Sequence, residues 1–573
     1  MKSKILKIIA ILIPFLLLNL VLFCQIEPKE NILNQLYEKE GEQYFSFQPS
    51  NRESIRELSR VISIDKVENS GKVFAYANKK GFSRFLDFNI SYEILPHPGD
   101  FKGFLNVKSH VDIRNVDDWD FYPTYDAYVD MMNQYAADYP DLCKVVSIGS
   151  TVQGRELLVA KISHNVNIEE NEPQFLYTSS IHGDETTGYI LMLRLIDYLL
   201  SNYGTDPRIT GLLDNMEIWI NPLANPDGTY HGGNGSVNGA YRYNANWIDL
   251  NRNYPDPEDG QHPDGEAWQV ETLHFMSFAE NHHFVSSCNI HGGTEVCNYP
   301  WDTWQKLSAD DNWWQYVCHE YADTAQLYSP PGYMSDYDDG ITNGWEWYEV
   351  AGGRQDYMNY FQQDREFTLE ISNDKLLDPS LLPAWWDYNY RSLLNYMEQS
   401  TFGIRGTVKD SISGFPVKAE VYALLHEKDS SWVYSTLPNG NYHRLLYAGT
   451  YTMKYSAQGY IPQIINNVTV ANRQATVLNV KLVPEGVGGI DNHEISKSIR
   501  IYPNPLTGSV LHFESDVQVQ QIAIFDIAGN EICKLKTDNS TRTVSLPGLN
   551  EGLYFFEFFT VQGIGIKKII IEH

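Results

Sequence analysis

QFLYTSSIHGDETTGYILMLRLIDYLL, residues 174 to 200, joins an apolar run to a polar HGDE and then to a second, longer apolar stretch. The first run reads as a buried strand and the last as a helix. The polar residues therefore sit at the carboxyl end of a strand, where open α/β sheets bind ligands. His182 and Glu185 are three residues apart at that end and can share one metal ion.

Further strand candidates surround this unit: LLVAKIS (157 to 163), MEIWINP (216 to 222), FVSSCNI (284 to 290) and EFTLEI (366 to 371). They alternate with helix candidates from about residue 118 to 400, which predicts an α/β fold, a mixed β-sheet flanked by helices. A catalytic zinc site takes three protein ligands and keeps a position open for water. A third ligand is therefore expected at another strand end, and His291, directly after FVSSCNI, meets that requirement. Between the two clusters, NPDGT and YRYNANWIDLNRNYPD place Arg242, Asn251 and Arg252 within eleven residues of an otherwise acid-rich chain. Guanidinium forks suit carboxylates. Tyr348 lies on a loop 22 residues before Glu370, and Glu370 stands on an apolar strand where a carboxylate must be paired or functional.

HGDE, NPDG, YRYNAN, DLNRN, HGG, the Tyr348 loop and FTLEIS, in this order, resemble the zinc metallocarboxypeptidases, above all the regulatory branch typified by carboxypeptidases D, E and N. The resemblance implies one Zn2+ per chain, bound by His182, Glu185 and His291. It implies that Asn251 and Arg252 grip the terminal carboxylate of a peptide or protein substrate, and that Arg242 polarises the scissile carbonyl. Tyr348 would close over the bound residue and Glu370 would activate the zinc water as general base. In that branch an acid eleven residues past the third ligand lies in the pocket for the C-terminal side chain; here it is Asp302, and a second polar pocket residue corresponds to Gln355. The implied activity is a secreted carboxypeptidase preferring C-terminal Lys and Arg. Two other readings stay open: an amidase acting on peptidoglycan stem peptides or glutamylated tails, and a catalytically idle surface-binding protein.

The chain has 573 residues, too many for one core, and a formal charge of −30 that argues against nucleic acid or anionic membrane as partners. MKSKILK followed by an apolar run predicts a signal peptide over residues 1 to 24, and a membrane anchor is the alternative. Residues 25 to 112, with VFAYA, KKGFSRFLDF and SYEIL, read as a small βαβ-like unit, a pro-segment or else a first layer of the catalytic domain at 113 to 400. Residues 402 to 485 and 498 to 573 read as two small β-sandwiches joined by a Gly-rich linker. The first resembles the transthyretin-like domain that follows the catalytic domain in the regulatory branch. The second resembles the C-terminal sorting domain of Bacteroidetes type IX secretion, which implies contact with outer-membrane secretion machinery, export through the periplasm and a secreted or cell-surface protein. A monomer is expected. Four cysteines, Cys143, Cys288, Cys297 and Cys318, allow at most two disulfides in the catalytic part.

Overall fold

The structure is a computed structural model that describes residues 29–38, 41–68, 70–116, 118–485, 492–538, 541–560 and 563–572. The expected signal peptide lies outside them. No helix among the described residues is long and apolar enough to cross a membrane.

Four short strands, β1 (Glu42–Phe47), β2 (Ser63–Val67), β3 (Val73–Asn78) and β4 (Tyr92–Ile94), form an N-terminal sheet in the order β2-β3-β1-β4. β3, the helix Lys79–Phe85 and β4 make the expected βαβ unit. β1, which sequence reading left out, is inserted between them and pairs antiparallel with both. A short parallel pair, β5 (Val107–Lys108) with β6 (Tyr122–Pro123), follows.

The central sheet has eight strands: β7 (Cys143–Ser150), β8 (Glu156–Ile162), β9 (Gln174–Ser179), β10 (Glu217–Asn221), β11 (Phe284–His291), β12 (Thr294–Tyr299), β13 (Ile341–Asn343) and β14 (Arg365–Ser372). Their order is β13-β12-β14-β11-β9-β10-β8-β7. β9, β10, β11 and β14 run parallel, β7 and β8 run antiparallel to their neighbours, and β12 is antiparallel to β14 but parallel to β13, so the sheet is mixed as predicted. Strands β10, β11 and β14 are buried along their whole length because helices cover both faces. Thr187–Asn202, Asp311–Leu327 and Leu382–Gln399 pack over one core, and Val270–Glu280 with Arg354–Phe361 over the other. The five described cysteines are free, and the four of the central-sheet unit are buried as small apolar side chains.

A two-sheet sandwich over Gly403–Pro484 is joined to the central-sheet unit by buried charges. Asp310, just before the helix Asp311–Leu327, pairs with Arg365 at the start of β14 (2.8 Å) and with Arg444 of the sandwich (2.9 Å), and His426 Nε2 lies 2.9 Å away. Arg444 also pairs with Glu427 at 2.7 Å. The last unit, Ile499–Ile571, has a three-stranded and a four-stranded sheet around its own apolar core.

Candidate functional site

The site lies where β9, β11 and β14 end side by side. His291, the last residue of β11, is the register partner of Glu370 on β14, and His182 and Glu185 follow β9 on the neighbouring strand end. The HGDE turn is held by its surroundings. Asn225 of NPDG donates to Ile181 O (3.2 Å) and Arg242 O (3.3 Å), and Thr229 Oγ1 donates to Gly183 O (2.7 Å). Gly183 is required for this packing, because a Cβ there would lie 2.3 Å from the backbone of Gly228. The motif NPDG is therefore scaffolding for the motif HGDE.

His182 Nδ1 and His291 Nδ1 face each other at 3.1 Å, with Glu185 Oε1 2.9 Å from the former and Oε2 2.8 Å from the latter. The ligand atoms of all three residues lie within 4.8 Å of one another. Two imidazole nitrogens and one carboxylate oxygen form a donor set that suits zinc. The outer nitrogens are tied elsewhere: His182 Nε2 lies 3.1 Å from Asp249 Oδ1, and His291 Nε2 lies 2.8 Å from the side-chain amide of Asn289. Such tethers fix ring orientation and turn the remaining nitrogens inward. Burial pushes His291 down to about 4, which keeps it neutral as a ligand must be. Burial opposes ionisation of Glu185, yet His182, Lys375 and His291 hold its carboxyl well below the usual range.

Arg242 is buried and shares Asp249 with His182, its Nε lying 3.1 Å from Oδ2. Arg252 donates through Nη1 to Asn251 O (2.9 Å), while its Nε is buried without a partner and remains available to an anion. Asn251 Oδ1 accepts from the backbone of Arg354 at 2.9 Å. Glu370 Oε2 is likewise buried without a hydrogen bond, and burial together with the negative Glu185 pushes its carboxyl well above the usual range. A divalent cation held by the triad acts in the opposite direction.

Nine of the ten residues singled out from sequence line this one cleft, Asp302 and Tyr348 among them. Gln355 stands behind it: its Nε2 donates to Asp302 Oδ1 (3.1 Å) and its Oε1 accepts from Thr368 N (2.8 Å), so it works through Asp302 and does not line the pocket. Sequence reading missed Asp249, although it is the first residue of DLNRN, and missed Lys375. Lys375 Nζ donates to Glu185 Oε1 and to Gly292 O, both at 2.8 Å, and so joins the two ligand-bearing turns.

The largest surprise is Asp65 of β2, which also lines the cleft. Its carboxylate lies 2.6 Å from Lys375 Nζ and 3.5 Å from Arg242 Nη1. Next to it, Ile64 O accepts from Tyr348 Oη (3.2 Å) and Arg252 Nη2 (3.3 Å), and Ser63 Oγ donates to Asp249. Arg242 and Lys375 both stack over the ring of Tyr76, whose hydroxyl donates to Asp184 at 2.6 Å. Tyr348 and Val350 are packed into the N-terminal core, and Glu349 pairs with Arg56 and Arg60. The covered cleft keeps about 30 Å³, room for about two waters and no peptide.

Residues 128–392 match the family profile of zinc carboxypeptidases, 403–483 the carboxypeptidase regulatory-like domain, and 500–572 a secretion system C-terminal sorting domain. Mouse carboxypeptidase D is 38% identical over 368 residues, an alignment covering 61% of this chain and 26% of that protein. The chain thus spans about a quarter of the length of its carboxypeptidase D relatives. Mouse carboxypeptidase M is 34% identical over 57% of this chain and 76% of its own length. The catalytic chain of human carboxypeptidase N is 32% identical over 62% of this chain and 85% of its own. With the triad, the paired arginines and the strand-borne glutamate in one cleft, and with these likenesses, the chain belongs to the zinc carboxypeptidase family.

Proposed function

We propose that this chain is a secreted zinc carboxypeptidase that removes C-terminal Lys and Arg from peptides and proteins, and that it is made in a latent form. The observation that carries the reading is the meeting of the His182, Glu185 and His291 triad, Glu370 and the paired arginines in one buried cleft. When bound by the triad, zinc supplies a Lewis acid and lowers the pKa of a bound water. Glu370 takes a proton at its free carboxylate oxygen and returns it to the leaving amine. Arg252 and Asn251 hold the substrate's terminal carboxylate and fix the register of the scissile bond, since only a free C-terminus offers that anion. Arg242, oriented by Asp249, places a cation where negative charge develops on the carbonyl oxygen. Tyr348 covers the bound residue. The sorting domain at 500–572 supports export by type IX secretion, with the outer-membrane machinery as its partner.

The preference for basic ends rests on Asp302, a buried carboxylate in the cleft that no Lys, Arg or His pairs with among the described residues. A substrate ammonium or guanidinium gains a charge-assisted hydrogen bond there worth about 1.5 to 3 kcal/mol, roughly ten- to a hundredfold over Leu or Phe. The latency rests on β2. Asp65 neutralises Lys375 and Arg242, and Ile64 O uses the donors of Arg252 and Tyr348, so residues 25 to 112 act as a pro-segment. Lys102, Gly103 and Phe104 are exposed on the connection to the catalytic part, where an endopeptidase can cut.

Three outcomes check this reading. Glu370→Gln should fold and bind zinc but lose at least ~100-fold in rate, the low end of general-base catalysis; near-normal turnover by the metallated variant refutes the role. Among matched peptides ending in Arg, Lys, Phe, Leu and Glu, Arg and Lys should be released fastest and Asp302→Ala should remove that advantage; faster release of Phe or Leu contradicts it. The intact chain should hydrolyse at least ~10-fold more slowly than the same chain after its N-terminal unit is removed, and Asp65→Ala should narrow the gap, since truncating one member of a buried charge pair costs about 2–5 kcal/mol. Equal rates before and after removal would rule out latency.

A further inference from the structure

The floor of the specificity pocket is crowded with acids. Asp302 follows β12, and its carboxylate Oδ1 accepts from the side-chain amides of Asn298 (2.9 Å) and Gln355 (3.1 Å). Its own backbone N–H donates to both oxygens of Asp356 (3.1 Å each), a residue in the first turn of the helix Arg354–Phe361. The next residue repeats the pattern: Thr303 N donates to Asp356 (2.8 Å) and Thr303 Oγ1 to Asp256 (3.1 Å). Asp256 also accepts from Gly352 N at 3.0 Å. All three acids are buried. The one-turn helix Gly344–Trp347 packs against the same carboxylate so closely that a Cβ on Gly344 would lie 1.8 Å from Asp302 Oδ1.

Two neutral amides donate to Asp302 and no basic side chain pairs with it among the described residues; Arg252 is the charged group that favours its ionised form from farther away, and Asp256 opposes it. Burial, with Asp256, pushes Asp302 up to about 6. Burial, with Asp302 and Asp256 as its charged neighbours, pushes Asp356 well above the usual range.

We propose that the selectivity of this enzyme for basic C-terminal residues is proton-linked. A Lys or Arg side chain enters the pocket against an ionised Asp302, and in acid it must first displace a proton from that carboxyl. The inference rests on the reading that basic ends are the preferred substrates. The sign follows from the direction of the shift: above the Asp302 midpoint the carboxylate is ready and selectivity is full. Below it, each unit of pH costs a basic substrate about tenfold in kcat/KM relative to an uncharged one. Enzyme selective at neutral pH becomes indifferent in acid, at a pH where ordinary exposed aspartates would still be ionised.

The test is a ratio. kcat/KM for matched peptides ending in Arg and in Met is measured from pH 8 to pH 5, on the full chain at the highest activity it reaches before or after limited proteolysis. Titration of Glu370 and of the metal site enters both rates equally and cancels. The Arg/Met ratio should be flat above pH 7 and fall about tenfold by pH 5, whereas Asp302→Asn should give a low ratio with no pH dependence. A high ratio that stays constant from pH 8 to pH 5 overturns the proton linkage while leaving the substrate reading intact. A ratio that never exceeds one at any pH overturns both. The parent's profile alone decides the matter should Asp302→Asn fail to fold.

Discussion

The carboxylate of Asp249 is the point on which the cleft depends. One oxygen lies against His182 Nε2 and the other against Arg242 Nε, so a single side chain orients a member of the His-Glu-His triad and the cation proposed to face the substrate carbonyl. Burial opposes its ionisation, but Arg242 and His182 hold it well below the usual carboxylate range. An isolated charge could not be sunk here, whereas a chain of alternating signs can. Glu185, Lys375 and Arg242 extend the same alternation, and the backbone of NPDG and the ends of β9, β11 and β14 hold it in register. The cleft is an electrostatic lattice first and a candidate metal site second, since each member of the triad is oriented by a partner outside it.

The N-terminal unit is fitted to that lattice. Asp65 adds an anion between Lys375 and Arg242, and Tyr76 offers its ring to both cations. Ser63 reaches Asp249 itself. The same groups that would meet a substrate's carboxylate and carbonyl are thus occupied by a backbone carbonyl and an aspartate of β2. The regulatory-like sandwich is anchored on the opposite side of the problem: Arg444 and Asp310 fix Arg365 at the start of β14, the strand whose far end carries Glu370.

Much of this was legible in the sequence because the chemistry fixes residue type and place. HGDE, HGG and FTLEIS each end or occupy an apolar strand, and it was the order of these motifs, and the family resemblance it carries, that singled out His182, Glu185, His291 and Glu370, which the cleft brings together. The mixed sheet followed from the alternation of strands and helices. What was hidden depends on contacts between distant segments. EQYFSF and SIDKV are short and half polar, and nothing in their spacing says that β1 is inserted between β3 and β4 or that β2 enters a cleft built by residues 110 and more positions later. Gln355 has the residue type expected of a pocket wall, but its amide is taken up by Asp302 and the backbone of Thr368, a fact of packing that no spacing reveals. Asp249 looked like the flank of DLNRN, since a buried carboxylate that only orients others carries no motif of its own.

The central claim is that His182, Glu185 and His291 form a zinc centre. Elemental analysis of the purified full chain, beside His291→Ala purified in the same way, tests it most directly because it needs no substrate and no removal of the N-terminal unit. The account predicts one zinc per parent chain, removable by a chelator, and a loss of most of it in a folded His291→Ala. A parent chain without zinc after zinc loading, or a variant that keeps the full complement, would contradict it.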